Sequence, residues 1–353
     1  MTERPDEATL DVALARIHQT SAVWRGELAN HAPMAAEALV ELGRADAIDG
    51  FLEVYGQHLE PAPPIPEARL DDWTTRLGRR EASPALIGHF LRAIDDEGVD
   101  GVVDGALPIL LSGVLAGSLH GLLRLSHALR GWTHRPTPIR AREIAHALAY
   151  WASEHRPLAG APGSQPETGL TPSKALAAVP PLPEERWVDG IITDRAQASV
   201  SYEPFLAALP SVDFDREPID QTLASLTGLA ASLFLTTENP RARFTYLHAI
   251  TGTSALRPIL PRLDRDGQRA ALRHHWHALA AIQCMTSTLR TEAERQAPRP
   301  PTEPVDVGRL VDTAVASRDD HAIKLTAAAL TERAHHDEPR LLMAAWAFSS
   351  SRR

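Results

Sequence analysis

Apolar residues recur at intervals of three and four through most of the chain, while alternating strand-like runs are few and short, so the pattern predicts a mostly helical protein. Asn30 and Pro33 carry the signals that open a helix through MAAEALVEL, and Gly43 stands where a C′ glycine would close it. A second helix is predicted over about 106–130, ALPILLSGVLAGSLHGLLRLSHALR, apolar on nearly every side and therefore central. Residues 139–154 give a third, with Ile144, Leu148 and Trp151 on one face. Asn239 and Pro240 cap and open RARFTYLHAIT, with Gly252 as its end. A long helical pattern covers 266–290, and QAPRPPTEP at 296–304 interrupts before the next. Asp319 and Asp320 then begin the helix bearing His321 and Lys324, where carboxylates favour the positive end of the helix dipole. Between Pro157 and Glu185, proline and glycine predict an irregular connection rather than packed structure. The expected architecture is all-α: a bundle-like set of helices forming one domain over 1–353, with that connection at its centre.

Composition narrows the chemistry. A chain of 353 residues buries roughly 75% of the surface it exposes when unfolded, so its core needs no staple. The single cysteine, Cys284, excludes an internal disulfide and any thiolate-cluster zinc or iron–sulfur site. A net charge of -9 with dispersed arginines gives no basic stripe for nucleic acid, and no apolar run is long enough to span a membrane. MTERPDEATL lacks the features of a signal peptide, so the expected location is the cytoplasm. GxGxxG, Walker, GxSxG and HExxH patterns are absent, which argues against a dinucleotide domain, a serine hydrolase or a zincin within this chain.

Of the 36 basic residues, all but Lys174 and Lys324 are arginine. Where arginine has replaced nearly every lysine, a surviving lysine is a candidate for work guanidinium cannot do, which requires a neutral, nucleophilic amine. Lys174 lies in the Pro/Gly-rich stretch, whereas Lys324 sits between Ile323 and Leu325 in a partly buried helix. His321 and Lys324, three apart, share a helix face. His120, Arg124 and His127 form a polar stripe on an apolar helix, and burying such groups is costly unless they are bonded, paired or metal-bound. With His31 and His248, four helices each offer a histidine in an apolar setting, the way helical bundles build metal sites. Several imidazoles plus one oxygen donor suit a first-row metal. A lysine buried near a cation can lose its proton, add carbon dioxide and become a carbamate, an anionic oxygen ligand. Sequence alone leaves open which of the 16 histidines converge. His18, His58, His134, His155, His335 and His336 read as surface or core residues, and His146 as ambiguous. His274, His275 and His277 contain an H-x-H spelling, but alternate residues of a helix point apart.

NHAPMAAEALVELGR (30–44), LHGLLRLSHALR (119–130), FTYLHAITGTSALRPILP (244–261) and DDHAIKLTAAAL (319–330), in this order, resemble the questin oxidase-like family. The resemblance implies an α-helical oxidoreductase acting on polycyclic aromatic natural products, with NADPH-dependent, Baeyer–Villiger-like opening of an anthraquinone ring. A related fungal member uses non-haem iron held by four histidines and a carboxylated lysine. Matched block by block, those ligands fall on His31, His120, His248, His321 and Lys324, with His127 as the alternative to His321. The glycine usual after the first histidine is Ala32 here.

The resulting expectation is an Fe(II) oxygenase in which carboxylated Lys324 supplies the oxygen ligand and dioxygen meets an aromatic polyketide. Arg124 and Tyr246 would contact a phenolate or a dioxygen-derived oxygen. Electrons would come from NADPH or a separate reductase. The rival readings are a zinc hydrolase on the same fold, a helical binding or scaffold protein with structural histidines, and a Schiff-base role for Lys324.

Overall fold

The helical periodicity is realised. The computed structural model describes residues 5–24, 28–67, 69–158 and 169–352, and among them holds 16 α-helices and one two-stranded antiparallel hairpin. In chain order the first helices are α1 Pro5–Ile17, α2 Ala32–Glu41, α3 Ile48–Tyr55, α4 Ser83–Leu110, α5 His120–His134, α6 Pro138–Ser153, α7 Pro172–Ala177 and α8 Ile192–Gln197. There follow α9 Glu203–Ala208, α10 Ile219–Leu235, α11 Pro240–Ser254, α12 Arg265–Ser287, α13 Glu292–Gln296, α14 Val307–Ser317, α15 Asp320–His335 and α16 Pro339–Ser350. The hairpin pairs β1 Val23–Trp24 with β2 Leu28–Ala29.

Local signals explain the ends of the site helices. Asn30 Oδ1 accepts from Ala32 N (3.0 Å) at the start of α2, and Pro33 occupies its first turn. Gly43 closes α2 at φ 68°, with Gly43 N bonded to Val40 O and Arg44 N to Leu39 O, the paired bonds of a Schellman motif. Asn239 caps α11 through Arg241 N and Ala242 N, and Asp319 caps α15 through His321 N and Ala322 N.

Three expectations are corrected. The continuous helix over 106–130 does not form: α4 ends at Leu110, a 3-10 turn covers Leu111–Gly113, and α5 opens only at His120. Between them Gly117, Ser118 and Leu119 take positive φ of 52°, 63° and 72°. Hydrophobicity could not reveal this break, because Val114, Leu115, Ala116 and Leu119 are all buried. Its backbone is satisfied from elsewhere: Thr193 Oγ1 accepts from Ser118 N and donates to Leu115 O, both at 2.7 Å. Gly252 does not end α11, which runs on to Ser254; a Cβ there would lie 2.7 Å from Leu119 Cδ1, so its role is close approach. The Pro/Gly-rich connection is packed in its second part, where α7 forms and Ala175, Leu176, Val179 and Leu182 are buried. Residues 159–168 of it lie outside the described residues.

Most helices bury their apolar faces in one continuous core, while α1, α2 and α3 share a smaller one that Ile323 and Ala327 of α15 enter. Each fully buried leucine, such as Leu122 or Leu325, contributes about 2 kcal/mol of hydrophobic stabilisation. Four helices pack in a closed cycle, α2 on α5, α5 on α11, α11 on α15, and α15 back on α2. No described helix is long and apolar enough to cross a membrane.

Candidate metal centre

Each helix of that cycle delivers one histidine to the same place, and the rings touch in the same order as the helices. His31 at the α2 N-cap stacks on His120 of α5 (ring centroids 4.4 Å apart), and His120 meets His248 of α11 edge-on at 5.2 Å. His248 meets His321 of α15 at 5.3 Å, and His321 returns to His31 at 4.8 Å. One donor nitrogen from each of His31, His120 and His321 lies within 4.8 Å of the others. Phe244 packs on the rings of His248 and His321, covering that side.

Local structure frees each imidazole. Because Asn30 provides the cap of α2, His31 makes no side-chain cap bond, and its backbone N–H donates to the Tyr55 hydroxyl oxygen at 2.9 Å. The left-handed turn before α5 points Gly117 O at His120 Nδ1 (2.6 Å). His248, inside α11, donates Nδ1–H to Phe244 O one turn back (2.8 Å). His120 and His248 thereby keep Nε2 as the unprotonated nitrogen. Nε2 of His120 and of His321 is buried with no hydrogen-bond partner.

Asp320 and Lys324 complete the cluster. Asp320 Oδ2 accepts from His31 Nδ1, lies 3.0 Å from His321 Nδ1 and is 3.3 Å from Lys324 Nζ. Burial pulls His31 down to about 3 and depresses His120 and His248 well below the usual imidazole range, so these rings are neutral at pH 7. Burial works against ionisation of Asp320, but His321, His31 and Lys324 outweigh it and hold the carboxylate well below its ordinary range. The Lys324 amine is pushed down by burial, with Asp320 opposing. The neutral imidazoles of His31, His120 and His248 anchored through Nδ1, two orphaned Nε2 atoms and a largely buried anion form a donor set that fits a first-row metal ion.

The remaining residues singled out from sequence lie in other networks. Arg124 donates from Nε and Nη2 to the two oxygens of Glu143 (2.7 and 3.1 Å), a carboxylate that also holds His18 Nε2 at 2.7 Å. His18 in turn stacks on His146 at 4.3 Å. The Tyr246 hydroxyl donates to Gln283 Oε1 (3.0 Å). His127 Nδ1 bonds Glu37 Oε2 at 2.5 Å, and Arg130 binds the same carboxylate, so His127 has no ring contact in the circuit and His321 takes that place. His275 bonds Thr253 Oγ1 and His277 packs on Phe205, as side chains of a helix pointing apart. Lys174 is exposed on α7. In sequence Asp320 reads only as a charge at a helix end. The signal for more was the Asp319–Asp320 pair itself, since one residue suffices as the cap.

Fold and cluster together define an all-α protein built round a largely buried circuit of four histidines with one carboxylate and one lysine. The family model for questin oxidase-like proteins matches residues 28–329, a span that contains all six of these residues, and the chain belongs to that family. No curated protein matches it. The family's name marks oxidoreductase chemistry.

Proposed function

We propose that the chain is a non-haem iron oxygenase that places one oxygen atom beside a ring carbonyl of an anthraquinone-type polycyclic aromatic, a Baeyer–Villiger-like step leading to ring opening. The observation that carries this reading is the closed circuit of His31, His120, His248 and His321 inside a questin oxidase-like chain. In this reading their Nε2 atoms hold Fe(II), and Lys324, carboxylated at Nζ, adds an anionic oxygen donor. Iron, when bound, supplies the activation of dioxygen at an open position.

The protein's own contribution is preorganisation. Burial keeps the imidazoles of His31, His120 and His248 neutral, with lone pairs available without loss of a proton. Carbonyl and carboxylate acceptors fix Nδ1 of His31, His120 and His248, so these rings need no reorientation. Phe244 shields the cluster from water on one side. Burial also favours the neutral Lys324 amine, the form that adds carbon dioxide to give a carbamate and a proton. One oxygen atom enters the carbon–carbon bond and the other leaves as water, so each turnover takes two electrons and two protons. NADPH, directly or through a separate reductase, is the proposed source.

Because imidazole suits zinc as well as iron, the test begins with elemental analysis of protein purified without oxygen or chelator. About one iron per chain, with oxygen uptake that depends on an added anthraquinone together with NADPH and a reductase, or on its hydroquinone, is the expected result. Zinc with ester or lactone hydrolysis and no oxygen uptake would overturn the reading, as would a chain that takes up no metal on reconstitution.

A further inference from the structure

The four histidines face one problem and solve it in two ways. An imidazole that is to offer Nε2 needs an acceptor at Nδ1, and inside a helix the carbonyl four residues back can serve, as Phe244 O does for His248. His120 opens its helix and has no such turn behind it, and the left-handed segment brings Gly117 O instead. His31 and His321 also stand at helix starts, the first at the N-cap of α2 and the second in the first turn of α15. For His31 Nδ1 the acceptor is one side-chain oxygen, Asp320 Oδ2, which also lies 3.0 Å from His321 Nδ1 and faces Lys324 Nζ.

We infer that Asp320 is a positioning residue of the centre: its carboxylate fixes His31, on an element 289 positions away, with Nε2 turned inward, and holds His321 and Lys324 on the same oxygen. Capping leaves it free for this task, because Asp319 satisfies the first N–H groups of α15. Three protein groups thus converge on Oδ2, His31 Nδ1 through a hydrogen bond and His321 Nδ1 and Lys324 Nζ at ion-pair distance, which places Asp320 behind the ligands. A carboxylate behind an imidazole does more than a carbonyl can, since its charge raises the basicity of the nitrogen on the far side. The inference rests on the metal-centre reading above, and its test has a part that needs no metal.

The first readout is the tautomeric state of the histidines in metal-free, 15N-histidine-labelled protein. The wild-type chain is expected to show His31, His120 and His248 protonated at Nδ1, and Asp320→Asn to lose that preference at His31 while His120 and His248 keep theirs. The second readout is Fe(II) affinity, expected to fall 10- to 100-fold in Asp320→Asn and to recover partly in Asp320→Glu. Should Asp320→Asn fold poorly, the wild-type tautomers and the Asp320→Glu affinity still decide the matter. A His31 protonated at Nε2 in the wild type, or Asp320→Asn binding iron as tightly as wild type, would overturn the inference. A wild-type chain that binds no metal would instead overturn the oxygenase reading, while the tautomer result would report separately on Asp320.

Discussion

Lys324 Nζ stands 3.3 Å from Asp320 Oδ2, one turn away on α15, with 3% and 14% of the two side chains exposed. Burial pushes the amine toward its neutral form and Asp320 pulls it back, so the lysine is held between an ion pair and a nucleophile. A carbamate at Nζ would set a second anion beside Asp320, an arrangement that a bound cation would stabilise. Lys324→Arg keeps the positive charge facing Asp320 but cannot form a carbamate. Its iron content is expected to fall below about a tenth of wild type, with the helical circular dichroism unchanged. Wild-type protein loaded with iron's diamagnetic substitute, zinc, in 13C-bicarbonate should give a carbamate carbonyl resonance that Lys324→Arg lacks. Full metal occupancy in Lys324→Arg would remove the carbamate from the proposal.

Acid should strip and destabilise the centre together. His31 titrates near 3 in the folded chain against 6.5 when unfolded, and His120 and His248 shift in the same direction, with burial the leading cause in each. Between the two values the unfolded state binds more protons than the native one. The stabilisation is therefore complete above pH 6.5 and is lost as pH falls toward the folded values, at about 1.4 kcal/mol per pH unit for each histidine. Urea unfolding of metal-free protein should show a falling midpoint from pH 6.5 downward and little change from pH 7 to 8. A midpoint that stays constant between pH 5 and 7 would contradict the burial of these rings as neutral groups.

The helices that carry the ring histidines are legible because their signals are local in sequence, whereas the histidines themselves stand out only through the resemblance of their blocks to the questin oxidase-like family. Asn30 with Pro33, Asn239 with Pro240, and Asp319 are caps within one turn of the helices they start. What local pattern could not show is a break made of apolar residues. The turn at Gly117–Leu119 is stabilised by Thr193, far along the chain, so residues 106–130 read as one helix in sequence. The same limit explains Arg124 and His127. Both lie on the helix of His120, but whether such a polar side chain meets a ligand or a carboxylate depends on Glu143 and Glu37, which other helices supply. Choosing His321 over His127 likewise required knowing that α15 closes the cycle of helices.

Arg124 should prove to be a fold residue. Its guanidinium and Glu143 are each only 4% exposed, and Glu143 is held down to about 2 by Arg124 and His18 against the opposing effect of burial. Glu143→Gln would leave a buried guanidinium without its anion, a change that typically costs about 3–5 kcal/mol. Chemical unfolding should register that loss, while Fe(II) affinity of the folded protein stays within about twofold of wild type. Wild-type stability in Glu143→Gln would argue that Arg124 has another anionic partner, and would return it to candidacy for substrate contact.

The backbone turn before α5 offers a test of how His120 is aimed. Gly117 has φ 52°, its carbonyl receives His120 Nδ1–H, and a Cβ there would overlap the Tyr150 hydroxyl. Gly117→Ala therefore carries two penalties, about 1–2 kcal/mol for a left-handed alanine and a steric one from Tyr150. Relief of either by movement of the turn would shift the carbonyl that fixes His120, so Fe(II) affinity should fall along with stability. Tyr150→Phe in the same chain removes the clashing oxygen and should recover most of the steric part of both losses, the ring carbons staying close to the new Cβ. The conformational part should persist in the double variant, because it belongs to the backbone. If Gly117→Ala lowers stability but leaves iron affinity unchanged, His120 is held by its packing against His31 and His248 alone, and the Gly117 carbonyl does not orient it.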